Sequence, residues 1–320
     1  MILKKHVLNI FRTPNQKISR LKKLRLDKNE RISDFDKSFI KELKKNINSE
    51  MLTSYPELEN LYKSLSKINN LPRNFFLTTF GIDHALKLSI EALTRSKDKV
   101  LILNPTFAMI NIYCRLNNLS IQKLNYDKRL NLNIKKFLDS IKKNLNLIVI
   151  SNPNSPTGTI INKKDMILLI KKAHKFKIPF ILDEAYFGFY KETYIKFVKK
   201  YDNLIILRTF SKNYGLAGIR LGFICSSKKI INYLRKFKPM YEANNFGLMA
   251  ANILLKNKLI EKKYVSETEK SKTHFISLLK DLNIKYFIVS PFWNILKNIG
   301  EVSIIPTISY SLRKITQIFF

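Results

Sequence analysis

Leu145-Asn-Leu-Ile-Val-Ile150 runs directly into Ser151-Asn-Pro-Asn-Ser-Pro-Thr-Gly158, and further along Ile178-Pro-Phe-Ile-Leu182 runs into Asp183-Glu-Ala-Tyr186. Each pair begins with a short continuous apolar run, the pattern of a strand covered on both faces. Between them Met166, Leu169, Ile170 and Ala173 fall at i, i+3, i+4 and i+7, one face of a helix, with Asn162 placed as its N-cap. Strand, helix and strand in that order make a crossover unit with parallel strands. The alternation extends outward. Lys99-Val-Leu-Ile-Leu103 lies upstream, Leu204-Ile-Ile-Leu207 and Leu221-Gly-Phe-Ile-Cys225 lie downstream, and Ile134, Phe137, Leu138 and Ile141 repeat the helical spacing. The expected fold class is α/β, a mostly parallel mixed sheet sandwiched by helices.

Three spans follow from the same pass. Residues 1–45 are basic and weakly patterned, an N-terminal arm; residues 46–238 hold the large domain. From about 239 the strand signal fades into a helix-rich stretch, so residues 239–320 are expected to form a smaller C-terminal α+β domain.

With 320 residues and 45% apolar content, the chain is long enough to bury a sizeable core. Its apolar runs are too short for a membrane-spanning helix, and the start MILKKHVLNIF lacks a secretory pattern. Two cysteines, Cys114 and Cys225, and four isolated histidines give neither a disulfide framework nor a metal cluster. Cytoplasmic location is the expectation. Lys and Arg total 58 against 24 Asp and Glu, a net +34 that would suit a polyanion partner. The basic residues are spread along the chain, however, with only short clusters such as Arg20-Leu-Lys-Lys-Leu-Arg25, so a solvated lysine surface explains the excess better than nucleic-acid binding.

Glycine is scarce, and its placement is informative. Of eight glycines, Gly81, Gly158, Gly215 and Gly218 fall in short segments that follow or border the expected strands, and Gly188 and Gly222 lie two residues beyond two such segments. Ligands of open α/β sheets bind at the carboxyl ends of the strands, and glycine marks close approach or positive φ. The segments are Thr78-Thr-Phe-Gly-Ile-Asp83, Ser151–Gly158, Leu182-Asp-Glu-Ala-Tyr186 and Arg208-Thr-Phe-Ser-Lys-Asn-Tyr-Gly-Leu-Ala-Gly-Ile-Arg220. A site built from all four is expected.

In this order the four segments resemble the class I/II, fold-type I aminotransferases, which use pyridoxal 5'-phosphate, and within them the histidinol-phosphate aminotransferase-like branch. Leu26-Asp-Lys-Asn-Glu30 and Pro105-Thr-Phe-Ala-Met109 add to the likeness, which covers about residues 22–250. The resemblance implies that Lys212 is the lysine joined to the cofactor aldehyde and the proton carrier at the substrate Cα. It implies that Asp183 pairs with the pyridine nitrogen, and that Tyr186 hydrogen-bonds the cofactor O3'. Gly81, Ile82 and Asp83, at the start of a helical pattern through Leu86, Ile90 and Leu93, would offer backbone N–H groups to the phosphate, with Thr209, Ser211 and Arg220 on the same group. Phe107 would stack on the ring. Tyr55 would reach the neighbouring subunit's phosphate, making the active unit a homodimer.

Two places depart from the family pattern. Where the family has asparagine before Pro-Thr-Gly, this chain has Ser155, with Asn154 just upstream; either could serve O3'. The small-domain arginine that holds a substrate carboxylate is matched only loosely by Arg313, and the C-terminal domain reads as shortened. The leading expectation is an aminotransferase exchanging an amino group between an amino acid and a 2-oxo acid, aldehyde or ketone. A decarboxylase of the threonine-phosphate type, or a cofactor-binding homologue with little activity, would share the same cofactor residues.

Overall fold

The computed structural model describes residues 3–11, 28–283, 286–289 and 293–296. Helix α1 (Lys37–Asn46), the single turn α2 (Glu50–Thr53) and α3 (Glu59–Asn69) precede strand β1 (Phe76–Thr79) and helix α4 (Gly81–Leu93). Next come β2 (Lys99–Asn104), α5 (Ala108–Leu116), β3 (Ser120–Asn125), α6 (Ile134–Ser140), β4 (Leu147–Ser151), α7 (Lys163–Lys175) and β5 (Phe180–Asp183). The chain continues through β6 (Leu204–Thr209), β7 (Gly222–Ser226), α8 (Lys228–Arg235), α9 (Asn245–Lys256) and α10 (Lys258–Asp281). A separate hairpin pairs β8 (Tyr286–Val289) with β9 (Trp293–Leu296).

The seven-stranded sheet runs β1-β7-β6-β5-β4-β2-β3. β7 is antiparallel to both neighbours and every other pairing is parallel. It is the mixed α/β sheet the apolar runs predict, and strands β2, β4, β5, β6 and β7 fall where those runs lie. The helix expected from Met166 to Ala173 is α7, and Asn162 caps it by accepting the Asp165 N–H at 2.9 Å. Two strands escape the sequence pattern. β3 is an edge strand whose Gln122 and Lys123 face solvent, and β1 is only four residues long.

Side-chain alternation explains the layers. Ile148 and Ile150, Phe180 and Leu182, and Leu204 and Ile206 point to one face, where α1, α3, α6, α7 and α9 cover them. Leu147 and Val149, Ile181, and Ile205 and Leu207 point to the other, under α4, α5 and α8. The span expected as an unpatterned arm therefore contributes a helix to the core: Phe39 and Leu43 of α1, at i and i+4, are buried. The core also does not break at residue 239. Leu248, Ala251 and Leu254 of α9 lie in the same cluster as Phe39 and Leu61, whereas the long α10 buries only Ile260 and Leu279.

Continuing the alternation by one step places Glu184 after Phe180 and Leu182, and Arg208 after Leu204 and Ile206, on the same face of adjacent strands. They meet as a buried ion pair, with Arg208 Nε and Nη2 donating to Glu184 Oε2 at 3.0 and 2.7 Å. Glu184 also accepts from the Tyr194 N–H and the Thr193 hydroxyl, and the Arg208 guanidinium lies 3.5 Å from the Phe187 ring centroid. A buried charge stripped of its partner keeps its desolvation cost, so Arg208→Met should lower unfolding stability by about 3–5 kcal/mol. Urea unfolding checks this, and the Glu184→Gln/Arg208→Met double variant should recover part of the loss.

Candidate active site

The parallel register from β4 to β6 brings the singled-out segments to one edge. Ser151 ends β4, Asp183 ends β5 and Thr209 ends β6, with Ser151 opposite Asp183 in the ladder. Gly222 opens the antiparallel β7 at the same edge, opposite both Thr209 and Thr79.

Asp183 is buried. Its Oδ1 accepts the Ala185 N–H at 2.8 Å and its Oδ2 accepts the Ser151 hydroxyl at 3.0 Å. Burial pushes its carboxyl up to about 6, while those two hydrogen bonds and the Lys212 cation pull the other way. Lys212 shows the converse: burial lowers its amine to about 8, against the opposing pull of Asp183 and Glu30. Each group thus depends on the other for charge balance. The Lys212 amine donates to the backbone carbonyls of Lys28 and Asn29 at 3.0 and 3.1 Å and lies 5.6 Å from the Tyr186 ring centroid. Burial pushes the Tyr186 phenol up to about 12.

Beside this pair lies a cradle for an anion. Gly81 opens α4 with φ +72°, and a Cβ there would stand 2.9 Å from Arg220 Nη2. Glycine at that position lets the guanidinium come up under the first turn of the helix, where Ile82 and Asp83 follow. Arg220 Nη1 donates to Ser211 Oγ at 3.3 Å, and the Thr209 hydroxyl donates to Ser211 Oγ at 3.1 Å. A helix N-terminus, a guanidinium and two hydroxyls at one point are the donor set of a phosphate site. The Asp83 Oδ1 atom in that first turn is buried without a hydrogen-bond partner.

The two candidates for O3' are separated by their surroundings. Asn154 is engaged inside its own loop: its amide donates to Pro105 O and Thr157 Oγ1, and its Oδ1 accepts from Thr106. Ser155 instead hydrogen-bonds the Tyr186 hydroxyl. Phe107 follows the carboxyl end of β2, caps α5 and packs half-buried against the cluster that also holds Ile82. Tyr55 is 72% exposed and stacks on Tyr241 at 4.1 Å between centroids. Arg313 lies outside the described residues.

Two participants were missed by sequence reasoning. Ser151 is one, although its place at a strand end beside Asp183 is legible in the sequence once the strands run parallel. Asn29, at φ +50°, donates its side-chain amide to the Tyr186 hydroxyl at 3.1 Å and offers its carbonyl to Lys212. Its only signal was the Leu26–Glu30 stretch.

A model of the family "Aminotransferase class I and II" matches residues 22–292. The chain belongs to that family. Among other class I and II members, the histidinol-phosphate aminotransferase of Caldanaerobacter subterraneus is 31% identical over 268 residues, 82% of this chain and 73% of that protein. The solved histidinol-phosphate aminotransferase of Clostridium acetobutylicum superposes with a TM-score of 0.74 at 26% identity, covering 86% of this chain and 83% of that one. The Sinorhizobium meliloti enzyme, solved with pyridoxal 5'-phosphate, gives 0.75 at 19% identity over 82% of this chain and 72% of its own. Among the described residues no helix is long and apolar enough to cross a membrane.

The raised Asp183 carboxyl has a measurable effect on stability. In the unfolded chain an aspartate titrates near 3.8, so between about 4 and 6 the folded protein binds more protons than the unfolded one. Stability contributed by this group therefore falls as pH rises through that window, by up to about 3 kcal/mol. Asp183→Asn, measured without added cofactor, should remove this increment, so that its unfolding free energy changes less between pH 4 and 6 than that of the unaltered protein.

Proposed function

We propose that this protein is a pyridoxal-phosphate-dependent aminotransferase of the histidinol-phosphate aminotransferase type, moving an amino group between an amino acid and a 2-oxo acid, aldehyde or ketone. The observation that carries the proposal is the buried Asp183 carboxylate and the half-buried Lys212 amine, each shifting the other's titration, beside the phosphate-type cradle of Gly81, Ser211 and Arg220. The residues fit the cofactor. A lysine whose amine is lowered to about 8 has a reactive free-base fraction near neutral pH, and a carboxylate buried this deeply favours a cationic partner such as a protonated ring nitrogen.

When bound, pyridoxal 5'-phosphate supplies an aldehyde for amine exchange and an electron-withdrawing ring that stabilises negative charge at the substrate Cα. The chain's own groups do the rest. Arg220, Ser211, Thr209 and the first N–H groups of α4 would hold the phosphate, and Asp183 would hold the ring nitrogen in its charged form. Tyr186, supported by Ser155 and Asn29, would hydrogen-bond O3', and Phe107 would pack against the ring. Lys212 Nζ would be the group that takes the proton from the substrate Cα.

The active unit is proposed to be a homodimer. From Phe237 to Phe246 the usual amphipathic order is inverted. Lys238 and Glu242 form an ion pair with side chains 7% exposed, while Phe237, Met240, Tyr241 and Phe246 face outward next to Leu52 and Tyr55. An apolar face of that kind is covered by a partner in a stable protein, and the family resemblance would have Tyr55, on that face, reach the neighbouring cradle.

Titration with pyridoxal 5'-phosphate should produce the near-visible band of lysine-linked cofactor, and Lys212→Ala should abolish it. Loss of this base should cut turnover on the order of a thousandfold. Arg220→Ala should weaken cofactor binding on the order of 10- to 100-fold, since it removes a charged donor. Incubating the loaded enzyme with L-glutamate, or with histidinol phosphate, should convert the cofactor to its pyridoxamine form. Carbon dioxide release instead would identify a decarboxylase, and an unchanged spectrum a non-catalytic homologue. Sedimentation should give twice the chain mass of 37.6 kDa, and a charge placed at Met240 should reduce it to the single-chain value.

A further inference from the structure

Asn213, the residue after Lys212, is 2% exposed although it is polar and lies in a turn. Two neighbours account for its burial. The turn after β5 is cut back to Gly188, at φ +102°, where a Cβ would stand 2.7 Å from both Asn213 Cβ and Asn213 Nδ2. On the other side Asn213 Nδ2 donates to Glu261 Oε1, on the first turn of α10. Within the turn the Gly215 N–H bonds Lys212 O at 2.8 Å and the Leu216 N–H bonds Phe210 O at 2.9 Å, while the Phe210 N–H reaches Leu221 O and the Lys212 amine reaches the carbonyls of Lys28 and Asn29. The Asn213 side chain is what fastens the turn to α10.

Glu261 is half-buried, and burial raises its carboxyl despite the Asn213 amide and the Arg208, Lys258 and Lys262 cations around it. Taking a carboxylate out of water is costly, and here the Asn213 hydrogen bond and the surrounding cations offset part of that cost. Around it, Tyr264 and Val265 of α10 pack on Ala185, Tyr186 and Phe189, so the same helix face covers the turn that bears the phenol.

We propose that Glu261 is a positioning residue for Lys212, acting through Asn213: its carboxylate fixes the Asn213 amide and so the direction in which the neighbouring amine leaves the turn. The role rests on the aminotransferase reading, in which that amine must reach a defined atom. It depends on the acceptor oxygen rather than on the charge, which separates Glu261→Gln from Glu261→Ala. Displacement of a reacting group by about 1 Å costs on the order of a hundredfold in rate.

The test is hydrogen exchange of the cofactor-free chain, read on peptides covering 209–217, together with kinetics of the loaded enzyme. Glu261→Ala should speed exchange in that peptide roughly tenfold, as expected for loss of one hydrogen bond, and leave the β4 and β5 peptides unchanged. It should lower kcat with little change in KM, whereas Glu261→Gln should stay within about twofold of the unaltered protein. Asn213→Ala combined with Glu261→Ala should add nothing to either single variant. If Glu261→Ala does not fold, Glu261→Asp, shorter by one methylene, takes its place with the same expected direction. Unchanged exchange over 209–217 in the alanine variant, or a glutamine variant as impaired as alanine, would overturn the proposal. Because exchange is read without cofactor, it decides the positioning role even if the unaltered protein forms no lysine-linked band, a result that would instead sink the aminotransferase reading.

Discussion

Arg208 and Glu184 sit side by side in the interior because two adjacent parallel strands each run one alternation step past their apolar residues. Their pairing ties the carboxyl end of β5 to that of β6 where each strand turns into the site. Asp183 precedes one partner, and Thr209, Ser211 and Lys212 follow the other within four residues. If those strand ends slid apart, the buried acid and the amine would no longer offset each other's desolvation, and the lysine turn would lose its foundation. An ion pair in a surface position contributes little; here it fixes the relative placement of two reactive groups.

Much of the sheet was legible because a doubly covered strand needs continuous apolar runs, and β2, β4, β5, β6 and β7 have them. β3 was not, since an edge strand keeps Gln122 and Lys123 in water and loses the pattern. α1 was hidden for a similar reason: Phe39, Ile40 and Leu43 stand among lysines, and only the sheet beneath shows that burying Phe39 and Leu43 suffices. In the site, the segments containing Lys212, Asp183, Tyr186 and Arg220 were visible as motifs, and their convergence follows from parallel topology. What the motifs could not give were contacts between distant segments. Asn29 meets Tyr186 across 157 residues of chain, and Asn154 rather than Ser155 turns inward because its amide is needed by Pro105 and Thr157.

The excess positive charge plays no visible part in this arrangement. The cations that matter are few and wholly or partly enclosed: Lys212 donates to the carbonyls of Lys28 and Asn29, Arg208 pairs with Glu184, and Arg220 lies under the first turn of α4. Burial, not number, gives these three their effect, because a charge in a poorly hydrated setting interacts with its neighbour far more strongly than one in water.

The antiparallel pairing of β1 with β7 joins Phe76–Thr79 to Gly222–Ser226, segments made far apart in time on the ribosome. During synthesis β1, with its apolar Phe76 and Leu77, waits as an unpaired edge until β7 emerges, a hazard for association with other nascent chains. Long-range pairings of this kind slow folding. The cradle of Gly81 and Arg220 straddles that last seam, so its two sides come together only with the closing strand, late in the life of the nascent protein.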